Sequence, residues 1–192
     1  MKKLVLASGS PYRRDLLQKL RLNFLTCSPE IDESAKFAES GGNLAVRLAI
    51  EKAEAAAEQY HNHLIIGSDQ VAMHRDKQLC KPGNRENAIR QLTEQSGHAV
   101  MFHTGLCVLD SASRKYLTAL DTCTVYFKQL SARQIEHYVD LEQPYQCAGS
   151  FKSEGLGIAL FHKIEGDDPN SLIGLPLIKL TSLLEQFDCT VL

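Results

Sequence analysis

The stretch LVLASGSPYRR, residues 4–14, sets a short apolar run against a turn of small residues and then two arginines. Residues 4–7 suit a buried strand. Ser10 is a good helix N-cap, since its hydroxyl accepts a proton from an amide the helix leaves unpaired, and Pro11 suits the first helical position, where no N–H is needed. A helix is therefore expected from Pro11. Leu16, Leu17 and Leu20 fall at the three- and four-residue spacing of one buried face, with Arg13 and Arg14 near the open N-terminal end. Free amides and the positive end of the helix dipole attract anions there, and arginines add forked, charge-assisted hydrogen bonds. The turn is thus a candidate phosphate or carboxylate site, although strand–turn–helix units with surface arginines also occur where nothing binds. It has neither the Gly-x-x-x-x-Gly-Lys spacing of a P-loop nor the Gly-x-Gly-x-x-Gly dinucleotide fingerprint.

Working outward, NFLTCS reads as a second strand and PEIDES as an acidic loop. NLAVRLAIEKAEAAAEQYH reads as a long helix that Asn43 can cap, with Leu44, Leu48 and the Ala55/Ala56 region as its packed stripe and Lys52 on it. HLIIGSDQVAM returns to strand character, and its apolar run, residues 64–66, stops at Gly67-Ser68-Asp69-Gln70. That places Asp69 at or just beyond the end of a buried strand. CKPGN is a loop whose Pro82 biases Lys81 toward extended backbone, and RENAIRQLTEQSG is a helix ended by Gly97. AVMFHTGLCVLD and KYLTALDTCTVYF, separated by the polar turn SASR, predict a long antiparallel hairpin. Ser131 and Gln134 form a capping box for ARQIEHYVDLE. The tail passes through CAGSFKSEGLG to a strand IALFHKI, a loop EGDDPNS and a final amphipathic helix. Strands alternating with helices predict an α/β fold, and the hairpin makes its sheet mixed.

A chain of 192 residues at 44% hydrophobic composition is sized for one well-buried core or two lobes sharing a cleft. A formal net charge of −2 supplies no basic footprint for wrapping nucleic acid, though a local cluster of Arg and Lys still suits a small polyphosphate. The six cysteines, with no Cys-x-x-Cys pair, read as free buried thiols. The apolar run in MKKLVLASGS is too short for a signal peptide, and no run reaches the about 18–20 residues of a membrane span, so a cytoplasmic location is expected.

Charged groups at loops and element ends are Arg13, Arg14, Glu33, Lys52, Asp69 and Lys81. Cations can hold phosphates, while carboxylates can hold a divalent metal and take a proton from water, so the mixture suits metal-assisted phosphoanhydride hydrolysis. Isolated carboxylates at strand ends also serve as solvated or capping groups. His61 and His63 lie two apart without a third ligand in view and read as surface residues; His98, His103 and His162 read as structural. No Ser-His-Asp triad or nucleophilic cysteine motif is evident.

In order, LASGSPYRRDLL, EIDES, RLAIEKA, IIGSDQV, CKPGNRENAIRQL, SGHAVMFHTGLCV and GDDPNSLIGLPL resemble the motifs of the Maf family of nucleoside triphosphate pyrophosphatases. The resemblance spans nearly the whole chain and treats residues 1–192 as a single Maf-like domain. It implies a two-lobed mixed sheet flanked by helices, like inosine triphosphate pyrophosphatases, with an active cleft between lobes. It also implies cleavage between the α and β phosphates assisted by Mg²⁺ or Mn²⁺, in a cytoplasmic homodimer without nucleic-acid or membrane partners. By position, Ser8, Ser10, Arg13 and Arg14 would grip phosphates, joined by Lys52 and Lys81. Asp69 would be the base and, with Glu33, hold the metal, although Glu30 and Asp32 share the same acidic loop.

The departures narrow the substrate. Tyr12 stands where many members carry arginine, Gln70 where pyrimidine-specific members carry threonine, and Glu154 where that group carries glutamine. These changes resemble the subgroup acting on 7-methyl-GTP. An aromatic ring attracts a cationic methylated guanine, and a carboxylate accepts the N–H donors of its Watson–Crick edge. Tyr12 and Glu154 also read as ordinary surface residues. Val100 stands where a histidine is often found, which removes any role for that histidine here. Alternatives are the same reaction on dTTP, UTP or another modified nucleotide, or a nucleotide-binding regulator of cell division without turnover.

Overall fold

A computed structural model of the chain describes residues 2–192. Its elements are β1 (Lys3–Ala7), α1 (Pro11–Gln18), β2 (Phe24–Cys27), α2 (Gly41–Ala57), β3 (His63–His74), β4 (Lys77–Leu79), α3 (Arg85–Gln95), β5 (Ala99–Asp110), β6 (Tyr116–Phe127), α4 (Ala132–Glu142), β7 (Phe161–Glu165) and α5 (Leu177–Glu185). The strands form one seven-stranded sheet in the order β2-β1-β3-β5-β6-β7, with β4 paired to β3. β1 runs parallel to both β2 and β3. Residues 111–115 join β5 to its neighbour β6, a link too short for a parallel crossover, so the expected hairpin is present. The sheet is mixed, as its sequence pattern implied.

The chain divides into two compact units. One holds the residues up to Gln70, with His103–Asp121 and Asp168–Leu192; the other holds Val71–Phe102 and Thr122–Asp167.

In the first unit, side chains alternate across the strands and build two cores. Leu4 and Leu6 of β1 join Leu64 and Ile66 of β3 and Leu106 and Val108 of β5 beneath Leu16 and Leu17 of α1 and Leu180 and Leu184 of α5. On the opposite face, Val5, Ala7, Ile65, Cys107 and Leu109 pack against Ala49, Ala53, Ala56 and Ala57 of α2. The alanines let α2 lie close to the sheet. A Cβ on Gly67 of β3 would run into the Ala49 carbonyl, and one on Gly105 of β5 into the Ala45 carbonyl.

Four expectations are corrected. Ser40, not Asn43, caps α2, accepting from the Asn43 N–H at 3.3 Å, so the helix starts at Gly41 and stops at Ala57, short of the expected end. β3 continues to His74, which puts Asp69 inside the strand instead of at its end. β7 begins only at Phe161, because residues 156–160 coil into a 3-10 turn where Gly157 lies against the Lys152 carbonyl. The six cysteines form no disulfide; Cys107, Cys123 and Cys189 are buried as expected, whereas Cys27 and Cys147 are half-buried and Cys80 is exposed.

The second unit centres on Phe102, Phe127, Phe151 and Phe161, whose rings meet edge to face with centroids 4.8–5.7 Å apart. β4 folds antiparallel onto β3, and β7 onto β6 with an irregularity between Tyr126 and Phe127. The Ser131–Gln134 capping box of α4 is formed as expected. Among the described residues, no helix is long and apolar enough to cross a membrane.

Candidate active site

The chain order explains where a site forms in the first unit. From β1 it passes through α1, packed on one face, to β2, then through α2, packed on the other face, to β3 on the far side of β1. Successive crossovers on opposite faces place the topological switch point, where open parallel sheets bind ligands, at the carboxyl end of β1 beside the middle of β3. The register pairs Ala7 with Gly67, so the Ser8–Ser10 turn lies level with Ser68, Asp69 and Gln70.

At that end of β1, Ser8 is buried, and its hydroxyl accepts from the Ser10 N–H at 3.2 Å and from Arg13 Nη1 at 3.3 Å. Ser10 caps α1 by accepting from the Arg13 N–H at 3.4 Å. Arg13 Nε donates to the Gly174 carbonyl at 2.8 Å. Burial pushes the Arg13 guanidinium below its usual value, while the Asp69 and Glu33 charges pull it upward. It keeps its charge, and both carboxylates are near enough to act on it.

Pleating sends Asp69 to the α2 face and Ser68 and Gln70 to the α1 face. Asp69 and Lys52 are each only 8% exposed, and Lys52 Nζ lies 2.6 Å from Asp69 Oδ1. The same ammonium lies 2.6 Å from Glu33 Oε1 in the acidic loop. A buried lysine on an alanine-rich helix needs such partners, because an unpaired charge there costs several kcal/mol, on the order of the whole margin of a fold. Of the three acidic residues in that loop, Glu33 is the one paired with Lys52; hydrogen bonds from the Ser34 side chain and then from its N–H, at 2.9 Å, lower the Asp32 pKa.

Gln70 Nε2 donates to Thr104 Oγ1 at 3.1 Å and to the carbonyls of Ser171 and Leu172 at 2.9 and 3.1 Å. Tyr12 stands half-buried on the first turn of α1. Arg14 is exposed beside Asp15 at 3.6 Å, whereas Arg13 is held by the Ser8 hydroxyl and the Gly174 carbonyl. The structure therefore assembles Ser8, Ser10, Arg13, Glu33, Lys52, Asp69 and Gln70 within one unit. Lys81 and Glu154 belong to the second unit, and both are exposed. The Lys81 loop is pinned there by Gly83 N–H to the Tyr145 carbonyl at 2.9 Å and Asn87 Nδ2 to the Pro82 carbonyl at 2.9 Å.

Residues 3–187 match the model of a protein family described as Maf-like protein. The chain belongs to the Maf family. It is 54% identical over 192 residues to a 7-methyl-GTP pyrophosphatase of Colwellia psychrerythraea, covering 100% of this chain and 96% of that one. It is 57% identical over 181 residues to a protein of the same name from Alcanivorax borkumensis, covering 94% of this chain and 92% of that one. Among solved structures, a HAM1 protein from Coxiella burnetii superposes with a TM-score of 0.55 at 16% identity, covering 97% of this chain and 100% of that one. This Maf chain thus shares the mixed α/β fold of that HAM1 protein.

Ser68, Thr104 and Gly174 take part in the site's hydrogen bonding without having been singled out in the sequence. Each lies inside a motif, but a strand hydroxyl or a loop carbonyl shows its role only when its partner, far away in the chain, is in place.

Proposed function

We propose that this chain is a nucleoside triphosphate pyrophosphatase that hydrolyses 7-methyl-GTP to 7-methyl-GMP and diphosphate, clearing a modified nucleotide from the cytoplasmic pool. The observation that carries the reading is identity of 54% and 57% over nearly the full length of relatives bearing that activity in their names. The paired Lys52 and Asp69 support turnover over binding alone, since a pure binder needs no base.

In this reading the turn after β1 and the start of α1, with Ser8, Ser10, Arg13 and Arg14, hold the phosphates, and Lys81 contributes a further cation. Asp69 accepts the proton of the water that attacks the α-phosphorus. The bond from that phosphorus to the α–β bridging oxygen breaks, and diphosphate leaves with the electron pair. Lys52 holds the Asp69 carboxylate in one orientation and offsets negative charge. Two carboxylates are a donor set that Mg²⁺ accepts when water and phosphate oxygens complete its shell, so Glu33 and Asp69 fit such an ion, or Mn²⁺. Among the described residues no three His, Cys, Asp or Glu side chains gather into a closed cage. The ion supplies Lewis acidity toward water and phosphoryl oxygens.

Tyr12, Gln70 and Glu154 form the specificity group of this reading. Glu154→Gln is expected to lower the preference for 7-methyl-GTP over UTP by about tenfold, the cost of one hydrogen bond to a charged group, because a pyrimidine offers fewer N–H donors than the guanine edge, while diphosphate release from UTP changes little. An equal fall for every substrate would reassign Glu154 to catalysis or folding. The decisive panel offers 7-methyl-GTP, GTP, dTTP and UTP at equal concentration, with released diphosphate measured with and without chelator. The expected result is fastest release from 7-methyl-GTP and loss of release under chelator; preference for dTTP or UTP would overturn the substrate assignment. Chromatography with light scattering tests the homodimer that belongs to the same reading.

A further inference from the structure

The loop at residues 168–175 carries no group expected to touch the reacting atoms, yet strand side chains reach its carbonyls one after another. Thr104 Oγ1 donates to the Ser171 carbonyl at 3.1 Å, which Gln70 also reaches, and Ser68 Oγ donates to the Gly174 carbonyl at 3.1 Å. Ser68, Thr104 and Ser171 are completely buried. At the loop's start, Asp168 Oδ1 accepts from the Asn170 N–H at 2.7 Å and its Oδ2 from the Ile178 N–H at 2.6 Å, tying the loop to the first turn of α5. The Gly174 carbonyl, so oriented, accepts Arg13 Nε at 2.8 Å. Gly174 has φ +119°, a backbone conformation that favours glycine, and its would-be Cβ position already lies in van der Waals contact with Arg13 Nε at 3.4 Å.

A guanidinium is planar, and fixing Nε fixes the direction of the remaining N–H fork. Ser8 Oγ accepts from Nη1. An arginine held at two of its nitrogens has lost rotamer freedom before any anion arrives, which spares that cost on binding.

We propose that Ser68 and Thr104 are positioning residues that brace this loop so that the Gly174 carbonyl aims the Arg13 fork at the triphosphate, a role that rests on the reading of Arg13 as a phosphate ligand. Neither hydroxyl touches substrate. Their effect passes through one carbonyl and one guanidinium.

The test uses the full chain carrying Ser68→Ala, Thr104→Val or Thr104→Ser, with inorganic triphosphate as the probe of affinity and 7-methyl-GTP for kinetics. Ser68→Ala and Thr104→Val are each expected to weaken triphosphate binding about fivefold to tenfold and to raise KM more than they lower kcat, and Thr104→Ser to restore both. In an Arg13→Ala background Ser68→Ala should add nothing, because the two act in series. Hydrogen exchange at Arg13 Nε–H, read by NMR without nucleotide, should accelerate in Ser68→Ala. Equal weakening with and without Arg13, or unchanged exchange, would overturn the brace. Accelerated exchange in a protein that does not bind triphosphate would uphold the brace and overturn the phosphate role of Arg13.

Discussion

Asp69→Asn is expected to lower kcat for 7-methyl-GTP hydrolysis by about 10³-fold while nucleotide affinity stays within a few-fold, the range over which a positioned general base acts. The substitution is nearly isosteric and the site is buried, so the side-chain amide can occupy the carboxylate's place between β3 and α2. Lys52 keeps Glu33 as a partner at 2.6 Å and is not left as a stranded charge. What disappears is the group able to take a proton from water. Rapid-quench measurement of diphosphate with equilibrium binding of the uncleaved nucleotide separates the two effects. Turnover near the wild-type value would move the base elsewhere in the chain; a collapse of affinity matching the collapse of rate would make Asp69 a binding residue.

Much of the fold around Asp69 was legible in local sequence because its signals are local. Ser10 before Pro11, and Ser131 three residues before Gln134, announce helix starts through bonds that close within a single turn, and both appear as expected. Where expectation and structure differ, the deciding partner is distant. Ser40 is followed by two glycines, poor helix formers, which points to a later start at Asn43. Gly42 is accepted in the helix because Leu120 lies where a side chain would go, 3.0 Å from its would-be Cβ.

The polar run Ser68-Asp69-Gln70 looks like a strand's end for a related reason: in isolation, three polar residues after Ile66 belong in solvent. In the fold each is satisfied separately, Ser68 by the Gly174 carbonyl, Asp69 by Lys52 and Gln70 by Thr104 and the loop carbonyls. The strand continues because tertiary partners supply what water would have supplied. The candidate site follows the same division. The residue types were visible in the motifs, whereas the pairing of Lys52 with both carboxylates depends on how closely α2 approaches β3.

That approach gives Gly67→Ala a large expected effect on stability, a loss of about 3 kcal/mol or more in urea unfolding. The new methyl group would meet the Ala49 carbonyl inside any tolerable contact and the Ala53 Cβ at 3.1 Å. Backbone of a packed helix cannot turn aside as a flexible side chain can, so α2 must lift from the sheet as a body and loosen the alanine core beneath it. Gly83→Ala is the control: its would-be Cβ meets nothing within 4 Å, and its φ of +74° predicts a smaller loss of about 1 kcal/mol, a backbone cost alone. If Gly67→Ala were no worse than Gly83→Ala, the contact between α2 and β3 would have to be looser than its geometry. Because Lys52 rides on the same helix, a displaced α2 also draws the ammonium away from Asp69, so any Gly67→Ala protein that remains folded should lose pyrophosphatase activity out of proportion to its fraction unfolded.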